Sequence, residues 1–314
     1  MQCIQKHVQT VQTGAARPQR RLVVRCAAAG SPAPLNEPSR RQLLAAAVAA
    51  PALQLLLAST PWVQAAAAAE PGPRSLTPEQ AAAVEAAFAA VLPKSKAPVI
   101  LRLVFHDAGS YSAAAGDGGV NASIQYELDR PDNFGLKRGW TVIEAAASKL
   151  RGTAAEGAVS KADLVALAGA YAVRITGGPA IQVPVGRRDA VGPDPDGRMP
   201  AQDASAEQQI ANFAAKGLSA QELVVLSGSH TLGSKGYGDP VTFDNTYFKT
   251  LLAAPWTDKS NEMAQHMGIP TDHVLADNPE LRPHIQRYAD SQAAFFADFA
   301  AAYPKMAALG ARWA

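Results

Sequence analysis

From residue 77 onward, apolar residues recur at intervals of three and four along most of the chain, while strand-like alternation is scarce, a pattern that predicts helices. The segment "TPEQAAAVEAAFAAVL" opens with Thr77 as N-cap, Pro78 at the first helical position and Glu79 in the first turn. All three suit a helix start, where backbone N–H groups lack partners. A second helix is predicted over "APVILRLVFHDAG", residues 97–109, with Gly109 as its stop. Further helices are predicted over residues 139–150, 160–175, 205–215, 219–230, 244–252, 279–287 and 290–302. The Gly- and Pro-rich stretches "AAAGDGGVNAS", "GGPAIQVPVGRRDAVGPDPDGRMP" and "GSKGYGDPVTF" separate them as loops. The outcome is a mostly α fold of about ten helices.

The first 65 residues do not share this pattern. Residues 1–36 contain no acid, while Lys6, Arg17, Arg20, Arg21 and Arg25 are basic, the composition of a plastid transit peptide. Residues 37–65 then carry the pair Arg40-Arg41, an apolar run over 43–58 and a small-residue cleavage pattern around Val63-Gln64-Ala65. This has the form of a twin-arginine export signal. A membrane anchor is the competing reading, but the run is broken by Pro51 and Gln54 and falls short of the roughly 20 residues a span needs. Two signals in series imply delivery to the chloroplast, with the thylakoid lumen as destination and the stroma as fallback.

Charge and cysteine content change once residues 1–65 are set aside. The whole chain has a formal charge of +2, but residues 66–314 hold 22 Lys and Arg against 26 Asp and Glu, a charge of −4. The basic character therefore belongs to the targeting region, and nothing points to nucleic acid. Both cysteines, Cys3 and Cys26, and also His7, leave with the presequence, so disulfide and thiol chemistry are excluded from the mature part. Residues 66–314 are long enough for one large domain or two fused lobes, with no stable membrane anchor expected.

Candidate chemistry starts at "LRLVFHDAG". On a helix, Arg102, Phe105 and His106 stand at i, i+3 and i+4 and share one face. Either a ligand or carboxylate compensates the charge there, or His106 is a core residue and Arg102 extends to the surface. A second histidine bears on the choice. "SAQELVVLSGSHTLGS" has Ser219 and Glu222 in a capping-box pattern and ends in small residues around His230. Small neighbours leave room for a large flat group. Two histidines on separate helices would then face opposite sides of a planar cofactor.

These two segments resemble the distal helix and the proximal ligand helix of plant, fungal and bacterial haem peroxidases. The resemblance continues, in order, through "YELDRPDNFGL", "DLVALAGAYAVRITGGP", "VPVGRRDAVGPDPDGRMP", "FDNTYF" and "PTDHVLADNPELRPHIQRYADSQAAFFADFAAAYPKMAALG". The chain is most similar to the intracellular group that includes ascorbate peroxidases. Within it, "LRLVFHDAG", "GSKGYGDPVTFDN" and "PWTD" resemble the plastid ascorbate peroxidase-related proteins.

The resemblance implies a two-lobed helical fold holding haem b between distal and proximal helices, and reduction of hydrogen peroxide at the expense of a small electron donor. It implies that His106 is the distal acid–base, that Asn133 fixes its tautomer, that Arg102 stabilises charge on the departing oxygen, and that Glu127 is a further distal acid. His230 would be the iron ligand and Asp272 the acceptor of its other ring proton. A helix N-cap before His273 and Val274 is the competing reading of Asp272. His266, His273 and His284 are expected at the surface. Pro184 would lie at the haem edge and Lys94 near a reductant site. Thr231, Thr242, Asp244 and Asp239 resemble a proximal cation site, and Asp107, Gly119, Asn121 and Ser123 a distal one; oxygen ligands suit K⁺ or Ca²⁺. Loop-capping hydrogen bonds are the alternative use of both sets.

The departures from ascorbate peroxidases concern the donor. Phe105 stands where they have a distal tryptophan. The interval "TLGSKGYGDPVT" contains neither their proximal tryptophan nor their ascorbate-contacting arginine, and Trp256 comes too late in the chain to replace the former. Haem binding and peroxide cleavage are therefore expected, with a phenol or other small reductant as donor, and with the second oxidising equivalent on the porphyrin or a tyrosine. A haem-free lumenal protein associated with photosystem components is the alternative. A two-histidine metal hydrolase would need a third ligand near one histidine, such as H-E-x-x-H, which the sequence lacks.

Overall fold

The computed structural model describes residues 72–253, Trp256 and residues 266–314. The signals assigned to residues 1–36 and 37–65, with Cys3, Cys26 and His7, lie outside the described residues. Among these there are ten α-helices: α1 Pro78–Val91, α2 Ala97–Gly109, α3 Lys137–Lys149, α4 Lys161–Ile175, α5 Ala206–Ala215, α6 Ala220–Ser227, α7 Thr246–Ala253, α8 Pro270–His273, α9 Arg282–Asp290 and α10 Gln292–Ala307. No sheet is present among the described residues; Arg74–Val185, Ser112–Asp117 and Arg187–Trp313 form isolated bridges.

Capping chemistry explains the starts that follow the sequence pattern. Thr77, Ser160, Ser205 and Ser219 each accept the N3 backbone N–H, and the N3 side chain returns a bond to the cap. Other boundaries move for local reasons. The helix predicted over 279–287 starts later, at Arg282, because Asn278 Oδ1 accepts from the N–H groups of Glu280 and Leu281 and holds them in a turn. That predicted over 290–302 runs on to Ala307 through Pro304.

The largest difference falls on the helix predicted to carry His230. Helix α6 ends at Ser227, and His230 sits in a separate 3₁₀ turn, Gly228–Thr231. Gly228 explains the close approach there: a Cβ would lie 2.6 Å from Phe295 and 2.7 Å from Phe248. The tighter winding re-aims the histidine relative to a continued α-helix.

The described residues form one compact unit in which the helices fall into two groups. Helices α1 to α4 pack on one another, α2 chiefly against α4, while α5, α6, α7, α9 and α10 form the second group. Phe243, Phe248, Tyr288, Phe295 and Phe299 interleave in the second core, with ring centroids 4.9 to 6.1 Å apart. Helix α2 joins the two groups by touching α10 and the turn that carries His230. A buried ion pair pins the intervening strap. Arg187 Nη1 lies 3.0 Å from Asp163 Oδ1, and the guanidinium also donates to the Ala307 carbonyl. None of the described helices is long and apolar enough to cross a membrane.

Candidate active site

Helix α2 is buried over most of its length, but along one stripe Arg102 is exposed and Phe105 and His106 are half-buried. Arg102 is exposed, and three protein acceptors hold it beside the helix rather than within the core. Its Nη1 donates to the Phe134 carbonyl at 2.7 Å, Nη2 to the Asp132 carbonyl at 2.6 Å, and Nε to His106 Nε2 at 3.3 Å. Arg102 and His106 thus meet at the nitrogen that is free to act as a base.

The other nitrogen of His106 is committed. Nδ1 lies 2.7 Å from Asn133 Oδ1, and an amide oxygen can only accept, so Nδ1 carries the hydrogen. Asn133 is positioned by a 3₁₀ turn, Pro131–Asn133, and by its own donation to the Glu127 carbonyl at 2.9 Å. Glu127 is buried, pairs with Arg130 at 2.8 Å and accepts from the Asp194 N–H at 2.8 Å. Burial pushes the His106 pKa down to about 4; Asn133 opposes this, while the charge of Arg102 adds to it. Near neutral pH the ring is therefore an uncharged base.

Asp194 is a residue that sequence reasoning missed. Its carboxylate accepts from Ser110 Oγ at 2.7 Å, Ser123 Oγ at 2.9 Å and Asn121 Nδ2 at 3.2 Å. It comes from a loop more than seventy positions away, where "GPDPDG" signals only a turn. The residues proposed as a distal cation site do gather here. Asp107 accepts from the N–H groups of Ala122 and Ile124, and Gly119 donates to Ser110 Oγ. Burial and the nearby Asp194 and Glu127 push the Asp107 carboxyl up to about 8, against those two hydrogen bonds. These groups are all engaged in loop-capping bonds.

His230 faces a different partner. Its Nδ1 lies 2.8 Å from Asp272 Oδ1, and its side chain is 40% exposed although the turn around it is buried. Burial alone would lower its pKa, but the charge and hydrogen bond of Asp272 outweigh this and raise it. Asp272 is not an N-cap: it lies within α8, buried, and its carboxylate goes to side chains. Besides His230 it accepts from Tyr247 Oη at 2.9 Å and Tyr237 Oη at 3.1 Å. Trp256 is elsewhere, stacked on His273 at 4.9 Å with its indole N–H on the Leu251 carbonyl. This corrects the expected exposure of His273, which is buried by Trp256 and bonded to the Met267 carbonyl.

The remaining candidates divide. Thr231 Oγ1 donates to Asp244 Oδ1 at 2.9 Å and Thr242 Oγ1 to Asp239 Oδ2 at 2.6 Å, two local pairs rather than one cluster. Among the described residues no group of three or more His, Cys, Asp or Glu is placed to hold a metal ion. Lys94 lies near enough to Asp239 to help lower its pKa, after the bonds from Thr242 and Val241. Pro184 belongs to the strap, with its carbonyl on Arg187. Phe105 packs edge-on to His106 at 6.0 Å and stacks on Phe213 at 6.2 Å, beside a small apolar recess lined by Ala108, Leu218 and Met306.

Comparison with known proteins identifies the family. The family model described as "Peroxidase" matches residues 80–291. An Arabidopsis thaliana protein named "Putative L-ascorbate peroxidase 6" is 48% identical over 223 residues, covering 71% of this chain and 67% of its own length. Peroxisomal L-ascorbate peroxidase 5 of Arabidopsis thaliana is 38% identical over 68% of this chain and 76% of its own length. Cytosolic L-ascorbate peroxidase 1 of Oryza sativa subsp. japonica is 34% identical, over 71% and 89% respectively.

Proposed function

Given that this chain belongs to the peroxidase family, in its ascorbate peroxidase group, we propose that it uses haem b to reduce hydrogen peroxide to water with electrons from a small reductant. The observation that carries this reading is the opposite treatment of two histidines: His106 is held neutral by burial with its Nδ1–H on an amide, and His230 has its Nδ1 on a carboxylate.

The residues fit a haem. With Nδ1 of His230 tied to Asp272, Nε2 of a 40% exposed ring is the nitrogen left to bind iron, and α2, which carries Arg102 and His106, packs against the same turn. Haem, when bound, supplies the redox chemistry of O–O cleavage. Asp272 fixes the tautomer of His230 and increases its electron donation. On the opposite side His106 Nε2 accepts a proton from peroxide and returns it to the departing oxygen, so that water leaves. Asn133 keeps Nε2 unprotonated for the first of these transfers. Arg102, already beside that nitrogen, stabilises the negative charge on the departing oxygen.

The donor we infer is a phenol or similar small reductant rather than ascorbate, because the interval between His230 and Phe243 lacks both the arginine and the tryptophan expected of an ascorbate-using enzyme. Delivery to the chloroplast, in particular the thylakoid lumen, is proposed on residues 1–65 alone, and K⁺ or Ca²⁺ at the loops of Thr231 or Asp107 on oxygen chemistry alone. Steady-state peroxide consumption by the haem-loaded chain, with ascorbate and with a simple phenol as donors, tests the main reading. A faster rate with the phenol is expected; no consumption with any donor refutes the peroxidase assignment.

A further inference from the structure

Asp272 is bound by more donors than positioning a histidine requires. One nearly inaccessible carboxylate takes the ring N–H of His230 and two phenol O–H groups. Tyr247 is fully buried. Its ring lies edge-on to His230 at 6.1 Å and to Tyr237 at 4.8 Å. Tyr303 is bonded to the Ala166 carbonyl, a group that cannot keep a proton, and Tyr288 to Asp298, which has no link to His230. Among the described residues, Tyr237 and Tyr247 are the tyrosines that share a carboxylate with the iron-binding candidate.

A phenol loses an electron far more readily when its proton can leave at the same time, and a hydrogen-bonded carboxylate is such an acceptor. Two hydrogen bonds, of 2.8 and 2.9 Å, connect His230 to Tyr247 through Asp272.

We propose that Tyr247 is an internal electron donor for peroxide reduction. The inference rests on the peroxidase reading above. Hydrogen peroxide takes two electrons and two protons to become two waters, and the external reductant supplies both in two one-electron donations, each with its proton. In the interim Tyr247 would lend one electron: its O–H bond breaks and its proton moves to Asp272, leaving a neutral tyrosyl radical, while the bound haem would supply the other. One electron from the reductant, with the proton returned from Asp272, then restores the phenol, and the other restores the haem. Tyr237, in contact with Tyr247 and bonded to the same carboxylate, shares the radical or carries it outward.

The experiment is freeze-quench EPR of the haem-loaded full chain after one equivalent of peroxide. A radical signal that narrows when the chain is made with ring-deuterated tyrosine is expected, weaker by about tenfold in Tyr247→Phe and altered in shape in Tyr237→Phe. Deuteration leaves the sequence unchanged and shows that the radical is on a tyrosine; Tyr247→Phe, with haem uptake checked by its Soret band, shows which one. A signal insensitive to tyrosine deuteration, or undiminished in Tyr247→Phe, overturns the inference while peroxide consumption continues. A haem-loaded chain that consumes no peroxide overturns the peroxidase reading and this inference with it.

Discussion

His106 and His230 are the same side chain placed on two neighbouring elements, and their surroundings drive them in opposite directions. His106 is bonded to a neutral amide, and burial holds its pKa at about 4. His230 is bonded to a buried carboxylate, which more than offsets burial and raises its pKa. The first is suited to collect a proton, the second to donate electron density to a metal. Burial is present at both sites, so the partner on Nδ1 makes the difference.

The largest test of this contrast removes the proximal side. His230→Ala should abolish the Soret band of the haem-loaded protein while far-ultraviolet circular dichroism retains its helical form. His106→Leu should leave the Soret band in place and slow the reaction with peroxide by about 10²–10⁴-fold, measured by stopped flow. That split, binding on one side and rate on the other, would be absent if both histidines were merely structural.

The pH dependence follows from the sign of the distal shift. His106 must be neutral to accept a proton, so the peroxide reaction should be level above a pH of about 4 and decline by about tenfold per pH unit below it. Because the folded pKa lies below the usual 6.5, the contribution of this ring to stability is complete above about 6.5 and is lost as the pH falls toward 4. Asn133→Asp would give His106 the kind of partner that His230 has. The acid limb of the rate profile should then move up by about one to three pH units. The smallest effect is expected at Phe105. Phe105→Trp adds bulk against Phe213 and the apolar recess, and should lower stability by about 1–3 kcal/mol with the Soret band unchanged.

Much of this arrangement was legible as local chemistry. The spacing of Arg102, Phe105 and His106 put them on one face because helical geometry repeats within a turn, and α2 leaves that face partly exposed. The capping box read at Ser219 and the helix starts placed at Ser160 and Ser205 hold because each cap is satisfied within four residues. Gly228 was not read as the end of α6, since the aromatic rings that demand a glycine there come from α7 and α10. His273 looked like a surface residue because a polar neighbourhood in sequence says nothing about Trp256 stacking on it.

The sequence by itself determined the helical class, the two histidine segments and the lack of a tryptophan between His230 and Phe243. Each depends on residue type and short spacing, which survive without knowledge of the fold. Tertiary structure decided which histidine meets an amide and which a carboxylate, and it alone brought Asp194 under the distal network and two phenols onto Asp272. Those contacts join residues 25 to 71 positions apart. Hydrogen-bond partners at such separations follow from how helices and loops pack, which no local periodicity records.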